Sequence, residues 1–120
     1  MPAKKILVID DEPDILTVTK IRLQRVGYVV ITALDGDEGL KKVASEKPDL
    51  ILLDVVMPAM DGYTFVKEMQ RKYPNLKIPI IIFSAKEKMR EVFQLEGIQD
   101  FLTKPYDDDE LLNLVKKHLG

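Results

Sequence analysis

At 120 residues the chain has the length of one ordinary compact domain, and its 46% apolar and 32% charged residues fit a globular protein with a continuous core. A formal net charge of −2 with no basic run excludes the electrostatic footprint of a nucleic-acid-binding surface. The absence of cysteine excludes disulfides and thiolate chemistry, and the first apolar run, Ile6 to Ile9, is far too short for a signal peptide or a membrane span.

Ile6-Leu7-Val8-Ile9 is a β-branched-rich run that stops at Asp10-Asp11 and reads as a buried strand. A helix is predicted from about Pro13, where a missing N–H is harmless. Ile15, Leu16, Val18, Leu23 and Val26 gather on one broad side of it, and Gly27 stands where a C-terminal stop is expected. Tyr28 to Ala33 is the second strand. Leu40, Val43 and Ala44 mark a short second helix that Pro48 ends, with Gly36 and Gly39 expected to weaken it. Leu50 to Leu53 is the third strand, stopping at Asp54. Asp61 is a candidate N-cap for a third helix carrying Phe65, Val66, Met69 and Tyr73. Ile80 to Phe83 is the fourth strand, stopping at Ser84. Met89, Val92 and Phe93 mark a short fourth helix ended by Gly97, and Phe101-Leu102 lies in a fifth strand before Lys104-Pro105. Asp107 to Glu110 reads as a solvated, capped helix start, followed by Leu111, Leu112, Leu114, Val115 and Leu119 of a closing helix. His118, the only histidine, is expected to be exposed near its end, with no phosphorelay role.

No repeat, low-complexity tract or linker interrupts this series, so residues 1–120 read as one domain. Five strands alternating with five helices call for an α/β fold, a parallel sheet covered on both faces. Right-handed crossovers bring all strand C-termini to one edge, where open α/β sheets bind ligands. Asp10, Asp11, Asp54, Ser84 and Lys104 should therefore converge there. Clustered carboxylates repel and need a cation. An all-oxygen donor set suits Mg²⁺, with Mn²⁺ or Ca²⁺ as alternatives, rather than zinc. A nucleophilic carboxylate, a hard cation, a lysine and a hydroxyl are parts for phosphoryl transfer.

Each residue alone has a plainer reading. Asp10-Asp11-Glu12-Pro13 is also a good helix N-terminus, Ser84 a good N-cap, Lys104 a solvated lysine and Phe101 ordinary core. Their joint order is what carries the reading. Val8-Ile9-Asp10-Asp11-Glu12, Leu53-Asp54 through Asp61-Gly62, Phe83-Ser84-Ala85 and Leu102-Thr103-Lys104-Pro105-Tyr106 together resemble the response-regulator receiver family over nearly the whole chain.

The resemblance implies a doubly wound (βα)5 sandwich with strand order 2-1-3-4-5. It implies that Asp54 accepts a phosphoryl group from a phosphohistidine on a sensor histidine kinase or phosphotransfer protein, or from a small phosphodonor. The domain assists its own phosphorylation and dephosphorylation and is not a turnover enzyme. Asp11, Asp54 and the main-chain carbonyl of Val56 are implied ligands of Mg²⁺ (Mn²⁺ as an alternative), with Asp10 reaching it through water. Lys104 pairs with the phosphoryl oxygens, Ser84 donates to one of them, and Phe101 is the switch aromatic that swings inward. Val56 and Lys86 flank the site and tune the phosphoryl lifetime. The Lys104-Pro105 bond is expected to be cis. The implied partners are the kinase and an output protein or domain, with no direct nucleic acid or membrane contact. A homodimer through the fourth helix, fifth strand and fifth helix is also implied. The implied setting is the cytoplasm.

Three departures stand out. Phe101 replaces the commoner tyrosine and cannot donate a hydroxyl hydrogen bond. The Ser84-to-Lys104 interval is short, so the fourth helix is expected to be a turn shorter than in many relatives or poorly ordered. No output segment follows the last predicted helix, which suits a stand-alone regulator or an excised receiver equally. Among rivals, an aspartyl phosphatase of the haloacid-dehalogenase type needs a second Asp two residues after the first, and that place is Val56. A docking-only module fits poorly with intact Asp11, Asp54 and Lys104. A nucleotide switch lacks its glycine-rich phosphate loop.

Overall fold

The strands form where the sequence has short β-branched and leucine runs without charge, and burial on both faces explains that composition. In the computed structural model, which describes residues 3–55, 61–83, 90–98, 100–103 and 106–120, these are β1 (Lys5–Ile9), β2 (Val29–Ala33), β3 (Leu50–Asp54), β4 (Ile80–Phe83) and β5 (Asp100–Leu102). They alternate with α1 (Pro13–Arg25), α2 (Gly36–Glu46), α3 (Gly62–Lys72), α4 (Arg90–Gln94) and α5 (Asp108–Leu119). All strand pairs are parallel, in the order β2-β1-β3-β4-β5. The doubly wound architecture expected from the sequence is therefore the one observed.

Side chains alternate across the sheet with the period of two that strands impose. Leu7, Ile9, Ile51, Leu53 and Ile82 face Leu40, Val43, Phe65, Val66 and Phe93 of α2, α3 and α4. Ile6, Val8, Leu50, Leu52, Ile81 and Phe83 face Leu16, Leu23, Leu111 and Val115 of α1 and α5. Two cores on opposite faces thus clamp one sheet.

Several sequence expectations are corrected. Leu16, Thr19 and Leu23 make the buried stripe of α1, at the three- and four-residue spacing that a helix turns toward one side. Val18 lies two positions from Leu16, on the opposite side, and is exposed. Val26 is exposed because it is the C-cap, past the last turn. Ala44 and Val92 are also exposed, so Leu40 and Val43 anchor α2 and, among the described residues of α4, Phe93 is its anchor. The described part of α4 is five residues long. Residues 84–89, with Met89 of its expected start, lie outside the described residues.

Gly36 and Gly39 are both buried in α2, and Gly39 is also a close-packing point. A Cβ at Gly39 would stand 2.6 Å from Ile9 Cδ1 and 3.1 Å from a Phe65 ring carbon, so the glycine lets α2 lie close on the sheet. A Cβ at Gly62 would stand 2.8 Å from the backbone oxygen of Asp54 and 2.9 Å from Val55 Cα. An isoleucine terminus can rotate away; a backbone cannot. Gly39→Ala is therefore predicted to change stability by less than about 1 kcal/mol, because helix propensity offsets part of the crowding. Gly62→Ala is predicted to cost about 1–3 kcal/mol through overpacking. Urea unfolding of both variants checks this ordering.

His118 is corrected from exposed to half-buried and paired. Its Nε2 lies 2.5 Å from Asp100 Oδ2, and Lys117 Nζ donates to Asp100 Oδ1 at 2.8 Å. These contacts tie the end of α5 to the start of β5. Burial pushes the Asp100 carboxyl up, but hydrogen bonds from Lys117 and His118 and their charges outweigh it and hold Asp100 below the ordinary 3.8. A carboxyl depressed in the folded state stabilises above its unfolded value and loses that contribution as pH falls through the folded value. Asp100→Asn should therefore cost about 1–2 kcal/mol at neutral pH. The deficit should close as unfolding is measured at pH values from about 4 downward.

Candidate functional site

Register fixes the site before any side chain is considered. Ile9 pairs with Leu53, so the next residues, Asp10 and Asp54, stand level at the C-terminal edge of two central strands. Asp54 in turn pairs with Phe83 of β4. Asp10 is fully buried and Asp54 is 5% exposed, whereas Asp11 is half-buried and Glu12 exposed. The Asp10 N–H donates to the carbonyl of Ala33 at 3.1 Å, and its Oδ1 accepts from the Glu12 N–H at 3.0 Å. That turn folds Asp11 and Glu12 back over the sheet edge. One carboxylate oxygen from each of Asp10, Asp11, Glu12 and Asp54 lies within 4.8 Å of the other three.

The far wall is the start of α3. Asp61 caps this helix by accepting from the Thr64 N–H at 2.8 Å, as its sequence position predicted. The Gly62 N–H donates to the Val55 carbonyl at 2.8 Å and holds the helix start against the backbone of Asp54. On the α1 side, buried Thr19 hydrogen-bonds through its hydroxyl to Tyr106, whose ring lies 5.7 Å from that of Phe83. Tyr106 thereby moors the segment two residues beyond Lys104 to α1.

Four carboxylates at this spacing, two of them buried, repel one another and fit a hard divalent cation with oxygen ligands. The site thus brings together Asp10, Asp11 and Asp54 of the sequence-predicted set. Phe101 lies in β5, half-buried, level with Ile82 and packed on the core that contains Tyr63 and Phe93. Ser84, Lys104, Val56 and Lys86 lie outside the described residues, as does Pro105 with the expected cis bond. Glu12 joins the cluster beyond the sequence-predicted set, and its place directly after Asp11 is the sequence signal for it. Gly62 could have been read from its place after a capping aspartate. Thr19 and Tyr106 are 87 residues apart and carry no sequence signal.

Residues 6–116 match the family described as the response regulator receiver domain. The chain belongs to that family. Its general role is phosphoryl acceptance in two-component signalling, as a signalling domain and not as a turnover enzyme. Among curated proteins, the chain is similar to the alkaline phosphatase synthesis transcriptional regulatory protein PhoP of Bacillus subtilis, with 47% identity over 115 residues, 94% of this chain and 47% of that protein. It therefore spans about half the length of that relative. Among solved structures, the chemotaxis protein CheY4 of Vibrio cholerae superposes with a TM-score of 0.90 at 30% identity, covering 98% of this chain and 99% of that one. The response regulator TrrA of Thermotoga maritima, solved in complex with Mg²⁺ and BeF, gives a TM-score of 0.84 at 37% identity, covering 95% and 97%.

Tyr106→Phe strips Thr19 of its partner and leaves a buried hydroxyl unpaired, at a predicted cost of about 1 kcal/mol. Adding Thr19→Val should recover part of that loss. A double-mutant cycle from urea unfolding measures the coupling.

Proposed function

We propose that Asp54 is the phosphoacceptor of this receiver domain and that residues 1–120 act as one such domain. The observation that carries the reading is a buried Asp54 level with Asp10 at the sheet edge, with Asp11 and Glu12 folded over it. One oxygen of Asp54 attacks the phosphorus of a phosphohistidine, the P–N bond breaks, and the imidazole leaves with its electron pair. Asp10, Asp11, Asp54 and the main-chain carbonyl of Val56 would hold Mg²⁺, or Mn²⁺ in its place, and the bound cation would offset charge on the equatorial phosphoryl oxygens. Glu12 adds a fourth carboxylate at the rim. Lys104 pairs with the phosphoryl group, Ser84 donates to it, and Phe101 follows Ser84 inward. Val56 and Lys86 flank the acyl phosphate and set its lifetime; Val56 offers no polar group to position an attacking water.

The partners in this reading are a sensor histidine kinase or phosphotransfer protein and an output protein or domain, reached in the cytoplasm. The exposed apolar residue Val18 and half-buried Ile15 line a groove of about 570 Å³ together with Glu12, Thr19 and Tyr106. A homodimer through α4, β5 and α5 belongs to the same reading. Among the described residues no helix is long and apolar enough to cross a membrane.

With Mg²⁺ and acetyl phosphate, the parent should gain the mass of one phosphoryl group and Asp54→Ala none. Mg²⁺ alone should raise the unfolding midpoint of the parent, and Asp11→Asn should abolish most of that rise. An unmodified parent, or equal modification of Asp54→Ala, would overturn the reading.

A further inference from the structure

Arg90 is the first described residue of α4, and its guanidinium carbon lies 5.4 Å from the centroid of the Phe101 ring. Its Nη2 also donates to Thr103 Oγ1 at 3.1 Å. One side chain thus grips both the aromatic ring of β5 and the residue that immediately precedes Lys104. A phenylalanine has no hydroxyl, so what it offers a cation is the electron-rich ring face. A planar guanidinium can stack on that face while its edge donates elsewhere; a lysine ammonium, a compact point charge, cannot lie flat on the ring. The ring also packs on the core holding Tyr63 and Phe93, and Phe101 as a whole is only half-buried.

We propose that Arg90 is a positioning residue that holds Phe101 in this half-buried position and so sets how readily the switch is thrown. The inference rests on the reading of Phe101 as the residue that moves when Asp54 is phosphorylated. On this proposal an inward swing carries the ring away from Arg90, so the cation–π contact favours the half-buried position over the inward one. By linkage, a contact made in one state alone weakens any ligand that favours the other. An exposed cation–π contact corresponds to a population shift of about two- to five-fold.

The test uses the whole chain with Mg²⁺ and beryllofluoride, a phosphoryl mimic, and reads its affinity by calorimetry. Arg90→Met, which keeps the stem but not the charge, should bind beryllofluoride about two- to five-fold more tightly than the parent. Arg90→Lys should fall between the two. In a Phe101→Leu background, Arg90→Met should leave the affinity unchanged, a result that a merely structural role of Arg90 would not produce. Unchanged or weaker binding by Arg90→Met, or the same gain in the Phe101→Leu background, overturns the role of Arg90 alone. Failure of the parent to bind beryllofluoride overturns the phosphoacceptor reading and this inference with it.

Discussion

The structure depends on one constraint: β1 and β3 are adjacent and parallel, with Ile9 level with Leu53. That register places Asp10 beside Asp54 although 43 residues of chain separate them. A slip of one residue would turn both strands' side chains to the wrong faces. It cannot occur cheaply, because Leu7, Ile9, Ile51 and Leu53 fill one core while Ile6, Val8, Leu50 and Leu52 fill the other. Double-sided burial therefore determines where the carboxylates stand.

The same packing sets their electrostatics. Burying Asp10 and Asp54 side by side is unfavourable without compensation. Backbone donors supply part of it, since the Glu12 N–H is aimed at Asp10. The clustered carboxylates at the sheet edge suit a hard cation and an incoming phosphoryl group. Gly62 serves this arrangement from outside: with no Cβ, α3 can start against the Asp54 backbone, and Asp61 caps the helix at that spot.

Around this fixed centre the other contacts act as moorings. Thr19 and Tyr106 join α1 to the segment after Lys104. Lys67 and Tyr63 of α3 hold Glu96 just beyond α4, and Tyr63 meets Phe93 edge-on at 6.0 Å between ring centroids. Asp100 ties β5 to α5 through Lys117 and His118. Arg90 bridges α4 and β5. The elements farthest from β1 and β3 thus add polar and aromatic side-chain contacts to the apolar packing of Phe93, Leu102, Leu111 and Val115.

The sequence by itself determined the strands, their order of appearance, and the acids at the ends of β1 and β3, because double-sided burial writes uncharged runs and each run ends where polarity returns. It also placed Asp61 as a helix cap and a capped helix start within Asp107 to Glu110, where Asp107 is the cap, since capping is a local interaction. Only the tertiary structure decided that Thr19 rather than Val18 faces the sheet, that Gly39 is a close-packing point, and that His118 is paired with Asp100. Those outcomes depend on which side of a helix meets its neighbour and on groups far apart in the chain, and local propensity and periodicity carry no record of either. For the same reason the grip of Arg90 on Phe101 was invisible in the sequence. It exists because α4 and β5 fold side by side.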